Sequence, residues 1–179
     1  MVRFGIGFDC HRLVPGRKLM LGGVEVPYPK GLLGHSDGDC LCHAISDALL
    51  GAAALPDIGH QFPDTDARYK DAFSLGLLAK VRETLCESGF TPEFIDTVII
   101  AEEPKLGPYY ARMQKAIADA LAIPASCVSV KASTTEGLGF LGAKEGIAAL
   151  AVATVEQRVV GAVHEPPSSD LTEPTKRGL

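Results

Sequence analysis

The chain has 179 residues, a formal net charge of −5, 46% hydrophobic and 22% charged residues, and only 6% aromatic residues with no Trp. That balance excludes a disordered chain and any general attraction to nucleic acid or an anionic membrane, and the length suits one well-filled core. No window approaches the ~20 consecutive apolar residues that span a bilayer, so no membrane partner is expected.

The opening "MVRFGIGFD" lacks the apolar centre and cleavage site of a signal peptide, so the expected location is cytoplasmic. Cys10, Cys40, Cys42, Cys86 and Cys127 are odd in number and irregularly spaced, which fits reduced thiols in such a compartment. Cys40 and Cys42 have no second pair to complete a zinc site and read as small buried thiols.

In chain order, "FGIGFDCHRL" alternates apolar and small residues as a half-buried strand does. Asp9 and His11, two apart, then project from one face, while Val2, Phe4, Ile6 and Phe8 form the other, expected to be buried. "KLMLGGVEVP" predicts a small hairpin turning at Gly22 and Gly23. Residues 31–39 are expected as a loop. "SDGD" supplies N-caps for a first helix that runs to about Leu55, with Leu41, Ile45, Ala48, Leu49 and Ala52 inside. Pro56 and "DIGHQFPDTD" predict a second loop.

A second helix is expected from Asp71 to Glu87, closed by Gly89. "FIDTVII" reads as a strand. Pro108 opens a third helix whose Met113, Ile117 and Leu121 face the core, ending before Pro124. "CVSVKAS" is a further strand and "TTEGLGF" a loop. "GIAALAVATVEQRVV" mixes Ala with β-branched residues and is open between helix and strand. Residues 161–179, polar and Pro-rich, are expected as a flexible tail. Residues 1–160 then form a single α+β domain, a mixed sheet with helices on one face in a ferredoxin-like arrangement, without internal repeats.

Asp9 and His11 together suit a divalent metal of the zinc class, which needs a third protein ligand. His35, His43 and His60 are the candidates. Two readings of Asp-x-His stand side by side: a metal site, or an aspartate capping a turn with His43 paired to Asp47 on a helix surface. "GHSDGD" places His35 and Ser36 ahead of a helix, where anions are favoured, and the same residues serve equally as caps. Asp64 and Asp66 of "FPDTD" are double-valued in the same way. "KASTTEGLGF" offers the hydroxyls of Ser133, Thr134 and Thr135 beside the carboxylate of Glu136, a set fit for a diphosphate and its magnesium or for an ordinary capped turn.

Taken in order, "GIGFDCHRL", "LGHSDGDCLCHAISDALLGAAALPDIGHQFPDTD", "AEEPKL" and "KASTTEGLGFLG" closely resemble the 2-C-methyl-D-erythritol 2,4-cyclodiphosphate synthase family over about residues 3 to 158. The resemblance implies a homotrimer with its sheets around a central axis and active sites between subunits. It implies conversion of 4-diphosphocytidyl-2-C-methyl-D-erythritol 2-phosphate to the cyclic diphosphate with release of CMP, in the non-mevalonate isoprenoid pathway.

Carried over position by position, it makes Asp9, His11 and His43 zinc ligands and Glu136 the ligand of Mg2+ or Mn2+. His35 and Thr134 become the groups that steady the phosphates, with Ser36 on the same loop and Ser133 and Thr135 beside Thr134. Asp57, Ile58, Gly59, Phe62, Asp64 and Asp66 would surround the sugar-like part of the substrate. Ala101, Pro104, Lys105 and Leu106 would form the cytidine pocket, with Lys105 near phosphate, and Phe140 would be a further substrate contact. It also makes the last open segment a strand. Ala143 and Leu150 stand where many members carry an arginine and a glutamate lining a cavity on the trimer axis associated with isoprenoid diphosphates. Lys144 is the nearest replacement cation, and Gly137 replaces a lysine often found there.

Overall fold

Small residues on one side of the first strand decide where the first helix lies. The computed structural model describes residues 1–157. Strand β1 spans Val2–Pro15, and residues 5, 7, 9 and 11 share one of its faces. Helix α1, Cys40–Ala52, lies against that face. A Cβ added at Gly5 would come 2.2 Å from the Ala48 carbonyl oxygen, and one at Gly7 2.0 Å from that of Ala44. Only glycine admits a helix this close. Val2, Phe4, Ile6 and Phe8 therefore point away from the helix and are exposed, Phe4 at 80%, against the expectation that theirs is the buried side.

The hairpin of β2 (Leu19–Leu21) and β3 (Val24–Val26) turns at Gly22 and Gly23, whose φ values of 57° and 72° suit the turn that a right-handed strand twist requires. Asp39 joins this hairpin to α1. Its buried carboxylate accepts the N–H groups of Leu41 and Cys42 as the helix cap, and those of Gly22 and Gly23 at 2.9 and 2.7 Å. The expected loop at 31–39 is partly strand, because β4 (Lys30–Leu32) pairs with the end of β1.

Strands β5 (Phe90–Ile100), β6 (Val128–Ser133) and β7 (Gly146–Gln157) complete a five-stranded sheet in the order β4-β1-β7-β5-β6, with β5 and β6 parallel and the other pairs antiparallel. The open segment is thus the central strand β7. Ala149, Ala151 and Ala153 of β7 are opposite Asp9, Gly7 and Gly5 of β1, continuing the small-residue floor beneath α1. Residues 158–160 of that segment, and the predicted tail at 161–179, lie outside the described residues. β5 begins at Phe90, earlier than predicted; Pro92 fits because the pairing is irregular between Pro92 and Phe94.

Helices α3 (Ser74–Glu87) and α4 (Tyr110–Leu121) join α1 in one layer over the sheet. α3 starts three residues later than predicted, because the chain before it grips the His35 loop. Asp71, at φ 55°, donates to the His35 carbonyl, and Asp37 donates to that of Ala72. The two predicted loops each hold one helical turn, α2 (Ile58–Gln61) and α5 (Gly139–Gly142). α2 forms because Asp57 accepts the His60 N–H and Asp47 accepts that of Ile58. α1 stops at Ala52, short of Leu55, where Ala54 turns left-handed at φ 58°.

Candidate metal centre and flanking cavities

The face that receives α1 also carries Asp9 and His11, one and two pleats beyond Gly7. The helix that packs on those glycines brings His43, near its own N-terminus, over them. His11 Nε2 and His43 Nδ1 each lie 2.9 Å from Asp9 Oδ2 and 3.2 Å from each other. Ligand atoms 2.0–2.1 Å from a tetrahedral zinc are about 3.3 Å apart, so this triangle has the size of one face of such a site. The three side chains are only 15–24% exposed. Burial opposes ionisation of Asp9, yet hydrogen bonds to His11 and His43, with their charge, hold its carboxyl well below the usual range. Burial alone would lower His43, and the bond to Asp9 with the nearby Asp39 and Asp37 charges raises it instead. The donors fit a borderline cation of the zinc class. His43 does not pair with Asp47, which is occupied by the Ile58 N–H.

His11 and His43 open onto a cavity of about 320 Å³. Its walls include the predicted His35, Ser36, Ile58, Gly59, Phe62 and Asp64, and also Tyr69 and Leu77, which the sequence reading missed. Tyr69 meets Phe62 edge to face at 5.2 Å, the contact that folds the "FPDTD" segment over the cavity. Asp57 and Asp66 also cap the turns of this segment: Asp57 bonds the His60 N–H and ring, and Asp66 is held by the Arg68 guanidinium and N–H.

A second cavity, of about 430 Å³, is lined by the predicted Ala101, Pro104, Lys105, Leu106, Ser133 and Thr134, with Glu102 among them. Its position follows from the parallel pair: β5 and β6 end side by side, and ligand sites gather beyond the carboxyl ends of such strands. Glu102, not singled out from the sequence, gathers the Thr135 N–H and hydroxyl and the Gly137 N–H, which shapes the loop carrying Thr134 and Glu136. Thr134 donates to Glu136 at 2.7 Å. Phe140 lines neither cavity; it lies in a smaller cleft beside His11. His35 and Thr134 thus line different cavities of the chain. Lys144, beside Ala143, pairs with Glu103 at 2.6 Å on the surface.

Cys40 and Cys42 are fully buried, and burial pushes both thiols up, away from the thiolate a metal requires. All five cysteines are free. Among the described residues no helix is long and apolar enough to cross a membrane.

Helices on one side of a mixed sheet, and a two-histidine, one-carboxylate cluster at the mouth of a cavity, define a small α+β protein built around a candidate metal site. The chain belongs to the YgbB family, whose model matches residues 2–156. It is 57% identical over 156 residues to the 2-C-methyl-D-erythritol 2,4-cyclodiphosphate synthase of Alkaliphilus metalliredigens, covering 87% of this chain and 98% of that one. Among solved structures it is similar to the bifunctional IspDF from Campylobacter jejuni, at a TM-score of 0.85 and 43% identity, covering 88% of this chain and 42% of that longer one. It is also similar to a 2C-methyl-D-erythritol-2,4-cyclodiphosphate synthase in its CDP-bound form, at a TM-score of 0.79 and 36% identity, covering 86% of this chain and all of that one.

Proposed function

We propose that the chain converts 4-diphosphocytidyl-2-C-methyl-D-erythritol 2-phosphate to 2-C-methyl-D-erythritol 2,4-cyclodiphosphate with release of CMP, in the cytoplasm, as a step of the non-mevalonate isoprenoid pathway. The observation that carries this reading is the Asp9, His11 and His43 triangle opening onto the cavity that also holds His35 and Ser36. The relatives' names and the CDP-bound neighbour support it.

In this reading Asp9, His11 and His43 hold Zn2+, and Glu136 holds Mg2+ or Mn2+. Such ions neutralise crowded phosphate oxygens and polarise the reacting phosphorus. An oxygen of the substrate's own 2-phosphate forms the new bond to the β-phosphorus while the bond to the CMP oxygen breaks, so no side-chain nucleophile is required. The protein's work is positioning. His35 and Thr134 steady the phosphates, with Ser36, Ser133, Thr135 and Lys105 beside them. Asp57, Ile58, Gly59, Phe62, Asp64 and Asp66 surround the erythritol part, Ala101, Pro104 and Leu106 receive the cytosine, and Phe140 contacts the substrate.

His35 and Thr134 line separate cavities, which supports a site completed between subunits. The open apolar stripe of Phe4, Ile6, Phe8 and Val152 supports a homotrimer with its sheets around a central axis, because a patch of this kind marks an interface. Residues 1–160 act as one domain.

With the cytidine substrate and divalent metal, phosphorus NMR is expected to show CMP and the cyclic diphosphate appearing together. Free phosphate without cyclic product would mean hydrolysis and would overturn the reading. Glu136→Gln is expected to raise the magnesium or manganese concentration needed for half-maximal turnover by roughly tenfold, with the zinc content unchanged. An unaltered metal titration would remove Glu136 from that role.

A further inference from the structure

Behind His43, on the side away from Asp9, is a hydrogen-bonded chain that the proposed reaction does not use. His43 Nε2 is 3.0 Å from Ser74 Oγ, and the Ser74 hydroxyl donates in turn to Asp37 Oδ1. Ser74 is 1% exposed, so water does not substitute for these partners. We propose that Ser74 and Asp37 are positioning residues that hold His43 with its proton on Nε2, leaving the Nδ1 lone pair directed at the metal. The inference rests on the metal reading of Asp9, His11 and His43 given above.

The direction of the chain follows from what each group is able to do. A carboxylate only accepts, so the single Ser74 proton goes to Asp37. Ser74 Oγ is then left with lone pairs, and the ring nitrogen beside it must donate. Ser36 Oγ is the second group beside that nitrogen, at 3.2 Å. With the Ser74 proton on Asp37, the 3.3 Å contact between the two hydroxyls is made by the Ser36 proton, which leaves Ser36 Oγ to accept from Nε2 as it accepts the Gly38 N–H at 3.2 Å. A histidine whose Nε2 carries the proton offers Nδ1 as its ligand atom, and Nδ1 is the atom 2.9 Å from Asp9 Oδ2. Metal-bound histidines commonly donate their second N–H to a carboxylate or carbonyl; here the carboxylate is reached through a hydroxyl.

Asp37 is itself anchored from two sides, which gives the chain a fixed end. Its Oδ2 accepts the Ser74 N–H at 3.1 Å, and its Oδ1 accepts the Asp39 N–H at 3.2 Å. The first of these bonds supplies the cap that Phe73, at the N-terminus of α3, has no side chain to give. A purely structural account would stop at that cap. Ser74→Ala separates the two roles, because it removes the hydroxyl and keeps the backbone N–H that Asp37 caps.

The test is a titration of the full-length chain and its variants with Zn2+ against a chromophoric chelator, together with 15N NMR of the His43 ring in the zinc-loaded protein. Wild type is expected to show one tautomer, protonated at Nε2. Ser74→Ala is expected to bind Zn2+ about 10- to 100-fold more weakly, the cost typical of losing an outer-shell partner, with its melting temperature within a few degrees of wild type. Asp37→Asn should weaken binding in the same direction. Wild-type zinc affinity and unchanged ring shifts in Ser74→Ala would overturn the relay while leaving the metal site standing. A wild-type chain that takes up no Zn2+ would overturn the metal site and the relay together.

Discussion

Replacing His43 with alanine is expected to empty the proposed zinc site and to lower formation of the cyclic diphosphate by about a thousandfold or more. Asp9 and His11 would remain, but two ligands are too few to retain a catalytic zinc. Loss of the ion removes charge stabilisation worth several kcal/mol, and ~4 kcal/mol corresponds to about a thousandfold in rate. The fold should survive. His43 sits within α1, its N–H donates to the Asp39 carbonyl, and alanine keeps that bond while favouring the helix. Elemental analysis of the purified variant checks the first half of the expectation, and the phosphorus NMR assay the second. Undiminished zinc would remove His43 from the ligand set.

Gly7→Ala is expected to be nearly as damaging, for a reason that involves no chemistry. The added methyl would sit 2.0 Å from the Ala44 carbonyl oxygen and 2.7 Å from the Ala48 N, both backbone atoms of α1. Neither is the movable end of a side chain, so the whole helix must retreat from the strand. Overpacking of this kind costs up to about 3 kcal/mol, and ~3 kcal/mol lowers the melting temperature of a chain this size by roughly 6–12 °C. The retreat also carries His43 away from Asp9 and His11, so zinc affinity should fall in the same variant. Thermal unfolding and chelator titration together test this. A stable Gly7→Ala chain with full zinc affinity would show that helix and strand are not held at this spacing.

The helices were legible in the sequence because their apolar residues repeat on one face and their ends carry Asp39, Gly89 and Pro108 as punctuation. Their starts were less so. α3 begins at Ser74 because Asp37, far away in the chain, caps it, and no local residue announces that. The strands posed a different problem. The period of two separates the faces of β1 but does not say which one meets the helices. Phe4, Ile6 and Phe8 have the greater apolar surface, yet the helix chose the glycine face, where its backbone is able to approach.

For the site, Asp9 and His11 were legible as a pair, since neighbours two apart on a strand must project together. The choice of His43 over His35 and His60 came from family resemblance, and the structure brings its ring to the other two. Ser74, Tyr69 and Glu102 carried no such signal. Each acts through a contact with a segment distant in the chain, to His43, Phe62 and the Thr135 loop respectively.

Local patterns in this chain were enough to specify its three long helices and most of its strands, the absence of an apolar span, and a strand face offering an acid and an imidazole. Long-range packing decided the rest: which side of the sheet is covered, which third side chain completes the triangle, and what lies behind it. The physical reason is that periodicity records only what neighbours along the chain share. The depth of approach between a helix and a strand depends on atoms that meet only once the chain has folded.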